Sequence, residues 1–328
     1  MTHRDHTSSA PASPPAPTRF RRDPLAILAV VLLGMYSPAN ANASAEDPTR
    51  IHLDRLALLS GSAVTFRYLG FKYVDRAWYQ GQKLDRIRWL NDWDGATYVN
   101  FDKGGHFISG LFLSQTLNDA YAWTGFDPRS AALLGTLTSW AALLEVEMRD
   151  AYFDQWGFSI PDFVANTAGA SLPLLHAFFP RTRAIGFKFS YFPSGLYRDN
   201  LRRAAQDRPH IDHVIDDYEG MTVWMTVAVD KFLPERPRAL WPDYLGLALG
   251  YGVVGLHGSN VKSRGRFKYY KDRPDAEPEL FLGLDYDSRQ LPGQGRFWTY
   301  FRKQLNWIRF PAPAVRLSPD FRFYLIYM

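Results

Sequence analysis

The 328 residues include no cysteine, which removes disulfides, thiolate metal sites, cysteine nucleophiles and a lipid-modified N-terminal cysteine from consideration. Any metal would have to be held by His, Asp and Glu. A strong charge of one sign is also missing: the net charge is +5, with Lys and Arg interleaved with Asp and Glu over most of the chain. That pattern lacks the clustered basic stripe of a nucleic-acid footprint, so no nucleic-acid partner is expected. What is plentiful is hydrophobic and aromatic material. At 46% hydrophobic and 16% aromatic, with 23 Phe, 18 Tyr and 10 Trp, the composition suits surfaces that meet a membrane interface, or a large soluble core.

Residues 1–19 are rich in Ser, Pro, Ala and Thr and poor in large apolar side chains, a composition that cannot bury enough surface to fold. The basic run RFRRD follows, then PLAILAVVLLGMY at 24–36 and the small-residue stretch SPANANASA. Charged, apolar and Ala-x-Ala segments in that order predict a secretory signal cleaved after Ala41 or Ala43. The alternative is an uncleaved anchor, for which the apolar run falls short of the ~20 residues that span a bilayer. Residues 1–43 are therefore read as leader plus export signal.

Periodicity predicts four helices: 54–78, capped by Asp54 and broken near Gly61 or Gly70; 102–123; 128–152, opened by Asp127 and Pro128; and a fourth opening at Ser159, Pro161 and Asp162 and ending at Pro180. Short connections imply an antiparallel bundle over 44–180. The uncharged runs at 104–118, 130–144 and 163–180 sit at or below spanning length, so they either cross a membrane marginally or form a soluble core. After Pro180 the period changes from 3.6 to 2. AIGFKFSYF, MTVWMTVAV, ELFLGLDYD and FRFYLIYM read as strands. These four or five strands are too few for a closed outer-membrane barrel. A small antiparallel β-rich part at 181–328, packed on the bundle, is expected instead, which makes the fold class α+β. Between the strands lie a charged stretch at 198–217, a Gly-rich stretch YLGLALGYGVVG and a basic loop KSRGRFKYYKDR.

The unusual polar residues concentrate in the helical part. Asp102 and His106 are four apart, Glu147 and Asp150 three apart, Asp162 and Asn166 four apart, so each pair shares one helix face. The Asp102 carboxylate could orient the His106 imidazole, with Gly104 and Gly105 between them allowing close approach. Glu147 falls at the margin of the buried stripe of its helix, where a carboxylate is paired or has a raised pKa, as a general acid or base requires. Each pair also has a structural explanation: a cap and a satisfied histidine, an ion pair between Glu145 and Arg149, and helix-start electrostatics at Asp162. Carboxylates and one histidine from three helices could bind a divalent metal or run acid–base hydrolysis. With a single His and no Glu-x-x-His spacing, acid–base chemistry is favoured, and neither a metal nor a cofactor is expected.

The same residues resemble the YfiM-like family of uncharacterised bacterial envelope proteins, a domain of unknown function described as periplasmic lipoproteins. The resemblance is carried by Asp102-Lys103, His106-Phe107, Glu147-x-x-Asp150, Gly157-Phe158-Ser159, Asp162, Ala165-Asn166 and Gly169. Further segments similar to longer members extend it over most of the chain. The order DKxxHF, Glu, DxxxN is also distantly similar to the VanZ-like membrane domain. The resemblance implies the architecture and a periplasmic compartment but no reaction; the residues themselves give the expected site, with His106, Asp102, Glu147, Asp150 and Asp162 as acid–base groups and Lys103, Asn166 and Arg149 as binding residues. The expected protein is an exported, periplasm-facing, membrane-associated one whose polar pocket binds or processes an envelope lipid or glycan. Its rival is a non-catalytic assembly factor in which the same residues only hold helices together.

Overall fold

The computed structural model describes residues 50–328 apart from 78, 80, 96–97, 196, 199–213, 215–216 and 257–274. The leader, the export signal, the basic loop at 262–273 and most of the charged stretch at 198–217 lie outside the described residues. The first half is helical: α1 (Leu53–Ala77), α2 (Phe101–Trp123), α3 (Pro128–Asp150) and α4 (Ile160–Phe178). Local sequence chemistry sets the starts of the last two. Asp127 accepts from the backbone N–H groups of Arg129 and Ser130 ahead of Pro128, and Ser159 accepts from that of Asp162. Two expectations fail at α1. The helix is continuous through Gly61 and Gly70, which face open space, and an exposed glycine costs a helix only about 1 kcal/mol. Asp54 lies inside the first turn, where it complements the helix dipole, rather than at the cap.

Helices α2, α3 and α4 approach through glycines. A Cβ at Gly110 would lie 2.5 Å from the Asn166 carbonyl oxygen, at Gly135 2.6 Å from the Asn118 nitrogen, and at Gly169 1.9 Å from the Phe107 carbonyl oxygen. At such separations small hydroxyl side chains reach the neighbouring backbone. Thr136 donates to the Ala170 carbonyl (3.1 Å) and Ser139 to that of Gly110 (3.2 Å). Helix α1 is mostly exposed and is tied to α3 by Arg67–Glu145 (2.5 Å) and Arg149–Asp75 (3.4 Å). Among the described residues, α3 alone is long and apolar enough to cross a membrane, with 33% of its apolar window buried.

The second half forms one antiparallel sheet in simple meander order: β3 (Ile185–Tyr191), β4 (Met221–Val227), β5 (Leu245–Val254), β6 (Glu277–Tyr286), β7 (Ala312–Ser318) and β8 (Arg322–Tyr327). A parallel ladder of β1 (Trp89–Leu90) with β2 (Phe158–Ser159) stands apart. Short helices α5 (Glu235–Leu240) and α6 (Arg296–Leu305) connect β4 to β5 and β6 to β7. The α+β class holds, but with six strands in the sheet rather than four or five. The Gly-rich stretch is itself a strand: a Cβ at Gly250 would lie 2.7 Å from the Trp224 ring, so glycine there makes room for a buried indole. In β7, Pro313 lies where the register with β8 shifts between Ala312 and Ala314, a position a proline tolerates.

The sheet carries polar groups inside. Trp224, Ala248, Phe281 and Ala314 form a core on one face. On that face Lys188 and Asp285 pair at 2.8 Å, and the Arg309 guanidinium lies 4.0 Å over the Trp224 ring. Arg309 also donates to the carbonyls of Leu284 (3.0 Å) and Tyr327 (2.8 Å). On the other face the sheet meets α2 through Phe187 against Phe107, while the segment before β7 meets it through Trp307 against Phe112, both at 4.6 Å.

Because the glycine contacts set the helix separation, Gly169→Ala should lower unfolding free energy by about 1–3 kcal/mol through overpacking. Gly105→Ala, which faces open space, should be neutral or stabilising. Urea denaturation of the two variants distinguishes them; equal stability would contradict the packing described.

Candidate functional site

The site begins with backbone strain. Tyr98, Val99 and Asn100 take φ of 47°, 54° and 61°, a left-handed turn that costs L-residues roughly 1–2 kcal/mol each. Neighbouring contacts hold it: the Tyr251 hydroxyl donates to the Val99 carbonyl, and Tyr98 packs edge-on against Tyr218 at 5.0 Å. Buried Phe101 follows, so α2 starts in a fixed orientation with Asp102, Lys103 and His106 in its first turns.

Lys103 is the hub. Its ammonium lies 2.8 Å from Asp92 Oδ2, 2.8 Å from Asp102 Oδ2 and 3.1 Å from Asp162 Oδ1. Asp92 is positioned by the β1–β2 ladder, across which the Ser159 hydroxyl donates to Asp92 Oδ1 at 2.8 Å. Burial works against the charged amine, yet Asp102 and Asp162 outweigh it and hold the Lys103 pKa above its ordinary value. Asp92, Asp102 and Asp162 offer oxygens within 4.8 Å of one another, a spacing that suits a cation. Lys103 supplies that cation from the chain itself.

One turn on, the Asn166 amide bridges two groups. It donates through Nδ2 to Glu147 Oε1 (2.8 Å) and presents Oδ1 to His106 Nδ1 (3.2 Å). His106 Nδ1 also lies 3.4 Å from Glu147 Oε1, and Nε2 lies 3.7 Å from Asp162 Oδ2. An amide oxygen facing Nδ1 assigns a proton to that nitrogen and leaves Nε2 as the acceptor of the neutral ring. The His106 side chain is 28% exposed against 1% for Glu147 and 13% for Asp162. Solvent thus reaches the cluster at the imidazole.

The structure brings together Asp102, Lys103, His106, Glu147, Asp162 and Asn166, with Asp150 on the flank accepting from the Tyr79 hydroxyl at 2.6 Å. Two expectations need correction. Asp102 does not orient His106: its Oδ2 faces the Lys103 ammonium and its Oδ1 accepts from the Lys103 backbone N–H, so Asn166 and Glu147 hold the ring instead. Arg149 lies outside the cluster, paired with Asp75 (3.4 Å) and Glu145 (3.5 Å) over the Phe71 ring. Sequence reasoning missed Asp92 and Tyr79, which lie in or beside the aromatic-rich segment after α1 where no periodicity marks a face.

Electrostatically the cluster holds more acid than base: Asp92, Asp102, Asp162, Glu147 and Asp150 against Lys103 and His106. Burial pushes the Glu147 carboxyl up to about 8, with Asp162 and Asp150 adding to it. Burial and the neighbouring Asp162 push Asp102 up to about 6, and burial, with a smaller contribution from Asp162, takes Asp150 to about 6 against the Tyr79 hydrogen bond. Burial opposes the His106 imidazolium, but Asp162, Glu147 and Asp102 more than offset it and hold its pKa above the ordinary value.

The fold and cluster define an α+β protein with a charged site at one end of its helical layer. A family described as predicted periplasmic lipoprotein (DUF2279) matches residues 89–177, about a quarter of the chain, and that span contains every member of the cluster except Tyr79. The match is to an uncharacterised periplasmic lipoprotein-like family and is consistent with a periplasmic or membrane-facing location. No curated protein and no solved structure matches the chain. These 328 residues contain no cysteine to carry the lipid that the description implies.

For each raised carboxyl, the folded state keeps a proton that the unfolded state has already lost, so stability falls as pH rises between the unfolded and folded values. His106 acts in the same direction, because stability gained from its imidazolium is lost as pH rises through its folded value. Unfolding free energy should therefore decline from about pH 4 to about pH 8, by up to a few kcal/mol. Glu147→Gln should flatten the upper part of that decline. Urea titrations across the range check this, and a stability that rises with pH would contradict it.

Proposed function

We propose that this is a YfiM-like, distantly VanZ-like, exported envelope protein, membrane-associated and facing the periplasm. In this reading its helical cluster binds and processes an envelope lipid or glycan by proton transfer through His106. The observation that carries the reading is the surplus of buried carboxylates around one partly exposed imidazole. A purely structural network has no need of more acids than bases, because unpaired buried charge is costly. With Nδ1 anchored by Asn166, His106 Nε2 is the group placed to deliver a proton to a leaving oxygen or to take one from an attacking hydroxyl or water. Asp162, 3.7 Å away, stabilises the imidazolium, and Glu147, kept largely protonated below about pH 8, buffers the charge behind it.

A second reading, a non-catalytic assembly factor, is favoured by the Lys103 half of the cluster, whose ammonium is fully enclosed by three carboxylates from separate segments. The two readings separate on one comparison. His106→Ala should fold to within about 1 kcal/mol of wild type, as expected for a partly exposed group, yet fail to complement a deletion strain. Loss of several kcal/mol in that variant, with complementation following stability, would instead support the structural role.

A further inference from the structure

A second, separate site lies on the other half of α2. There the C-terminal halves of α2 and α4 face the start of β3 and the β5–β6 end of the sheet, and they enclose a cleft of about 450 Å³. That volume falls within the ~300–1,000 Å³ range of small-molecule sites. Its wall along α2 runs from Leu111, five positions beyond His106, to Ala122, and no residue of the charged cluster lines it.

Three features say what it would take. Two of its lining side chains carry buried polar atoms with no hydrogen-bond partner among the described residues, Asp285 Oδ1 and His176 Nε2. Asp285 is 4% exposed and its other oxygen is committed to Lys188, itself 2% exposed. A buried carboxylate oxygen left without a donor is costly, so the cleft calls for a ligand that donates hydrogen bonds. Second, the charges around it balance. Arg183, Lys188, Arg289 and Lys303 stand against Asp119, Asp243, Asp285 and Asp287, and the last two exposed cations are already paired, Lys303 with Asp119 and Arg289 with Asp287. This balance disfavours phosphate or another anion, which needs a surplus of positive charge. Third, Gln115, Asn118 and Asn306 share the wall with Trp307 and Tyr244, so amides that both donate and accept stand beside aromatic faces. Burial and the neighbouring Arg183 and Arg289 hold the His176 pKa below its ordinary value, so its ring is neutral and one nitrogen accepts.

We propose that this cleft binds an uncharged, hydroxyl-rich ligand, a saccharide unit, with Asp285 and His176 accepting from its hydroxyls. The inference does not depend on the chemistry assigned to His106. It gives the protein a place to hold a glycan apart from the charged cluster, so that recognition and proton transfer occur at separate points along α2.

Isothermal titration of the full-length protein with chitotriose, maltotriose, inorganic phosphate and glucose 6-phosphate tests it. A neutral oligosaccharide should bind with millimolar affinity or better, at least about tenfold tighter than either phosphate compound. Asp285→Asn and the wall variant Gln115→Ala should each weaken that binding several-fold, while Arg67→Ala, on the exposed face of α1 and outside both the cluster and the cleft, leaves it unchanged. Gln115→Ala serves where Asp285→Asn, by unpairing Lys188, fails to fold. Absence of binding by both oligosaccharides, preference for the phosphate compounds, or loss of binding in Arg67→Ala with none in Gln115→Ala would each overturn the assignment. Failure here would leave the His106 comparison standing, and the reverse is equally true.

Discussion

The ammonium of Lys103 is the point on which the helical half depends. Asp92 enters from the segment before α2, Asp102 from α2 and Asp162 from α4, and the three meet within ion-pairing distance of one nitrogen. Such a group is expensive to bury and far more expensive to leave half-paired, since removing one partner of a buried pair costs about 3–5 kcal/mol. Everything around it is arranged so that it is never half-paired. The left-handed turn at Tyr98–Asn100 aims the start of α2. The two-residue β1–β2 ladder delivers Asp92 to Ser159, and glycine contacts bring α2 and α4 to backbone separation.

From that centre the network passes through a shared residue. Asp162 touches Lys103 with one oxygen and approaches His106 Nε2 with the other, so the enclosed ion cluster and the partly exposed imidazole are one electrostatic unit. Removing the ammonium would raise the negative potential felt by His106 and Glu147 together. A change in the protonation of Glu147 is likewise felt at His106 across 3.4 Å. The unit therefore combines an enclosed half around Lys103 with a half that meets solvent at His106.

Much of this was legible in the sequence, and the reasons differ by element. The caps at Asp127 and Ser159 are readable because their chemistry is local. The i,i+4 and i,i+3 pairs placed Asp102, His106, Glu147, Asp162 and Asn166 on three helix faces, and antiparallel packing then brings those faces together. Which partner orients His106 was not readable: Asp102 is the nearest carboxylate in sequence, but Lys103 and its own backbone take it. Asp92 escaped because a two-residue ladder between distant segments leaves no periodic trace. Strands β5 and β7 escaped because glycine and proline, read as punctuation, here make room for the Trp224 ring or sit where the ladder does not need a donor. The sheet interior, with Lys188, Asp285 and Arg309 buried around Trp224, runs against the rule that alternating strands point their polar side outward.

The central claim is that the surrounding carboxylates together outweigh burial at His106. It is tested most directly by NMR titration of the His106 ring in the wild-type protein and in Asp162→Asn, the substitution that removes the carboxylate nearest Nε2 while keeping its shape. The account predicts a wild-type pKa above the ordinary histidine value and a clear fall in the variant, with the Nδ1–H tautomer retained at high pH. A wild-type His106 that titrates at or below the ordinary value, or one indifferent to Asp162, would contradict it.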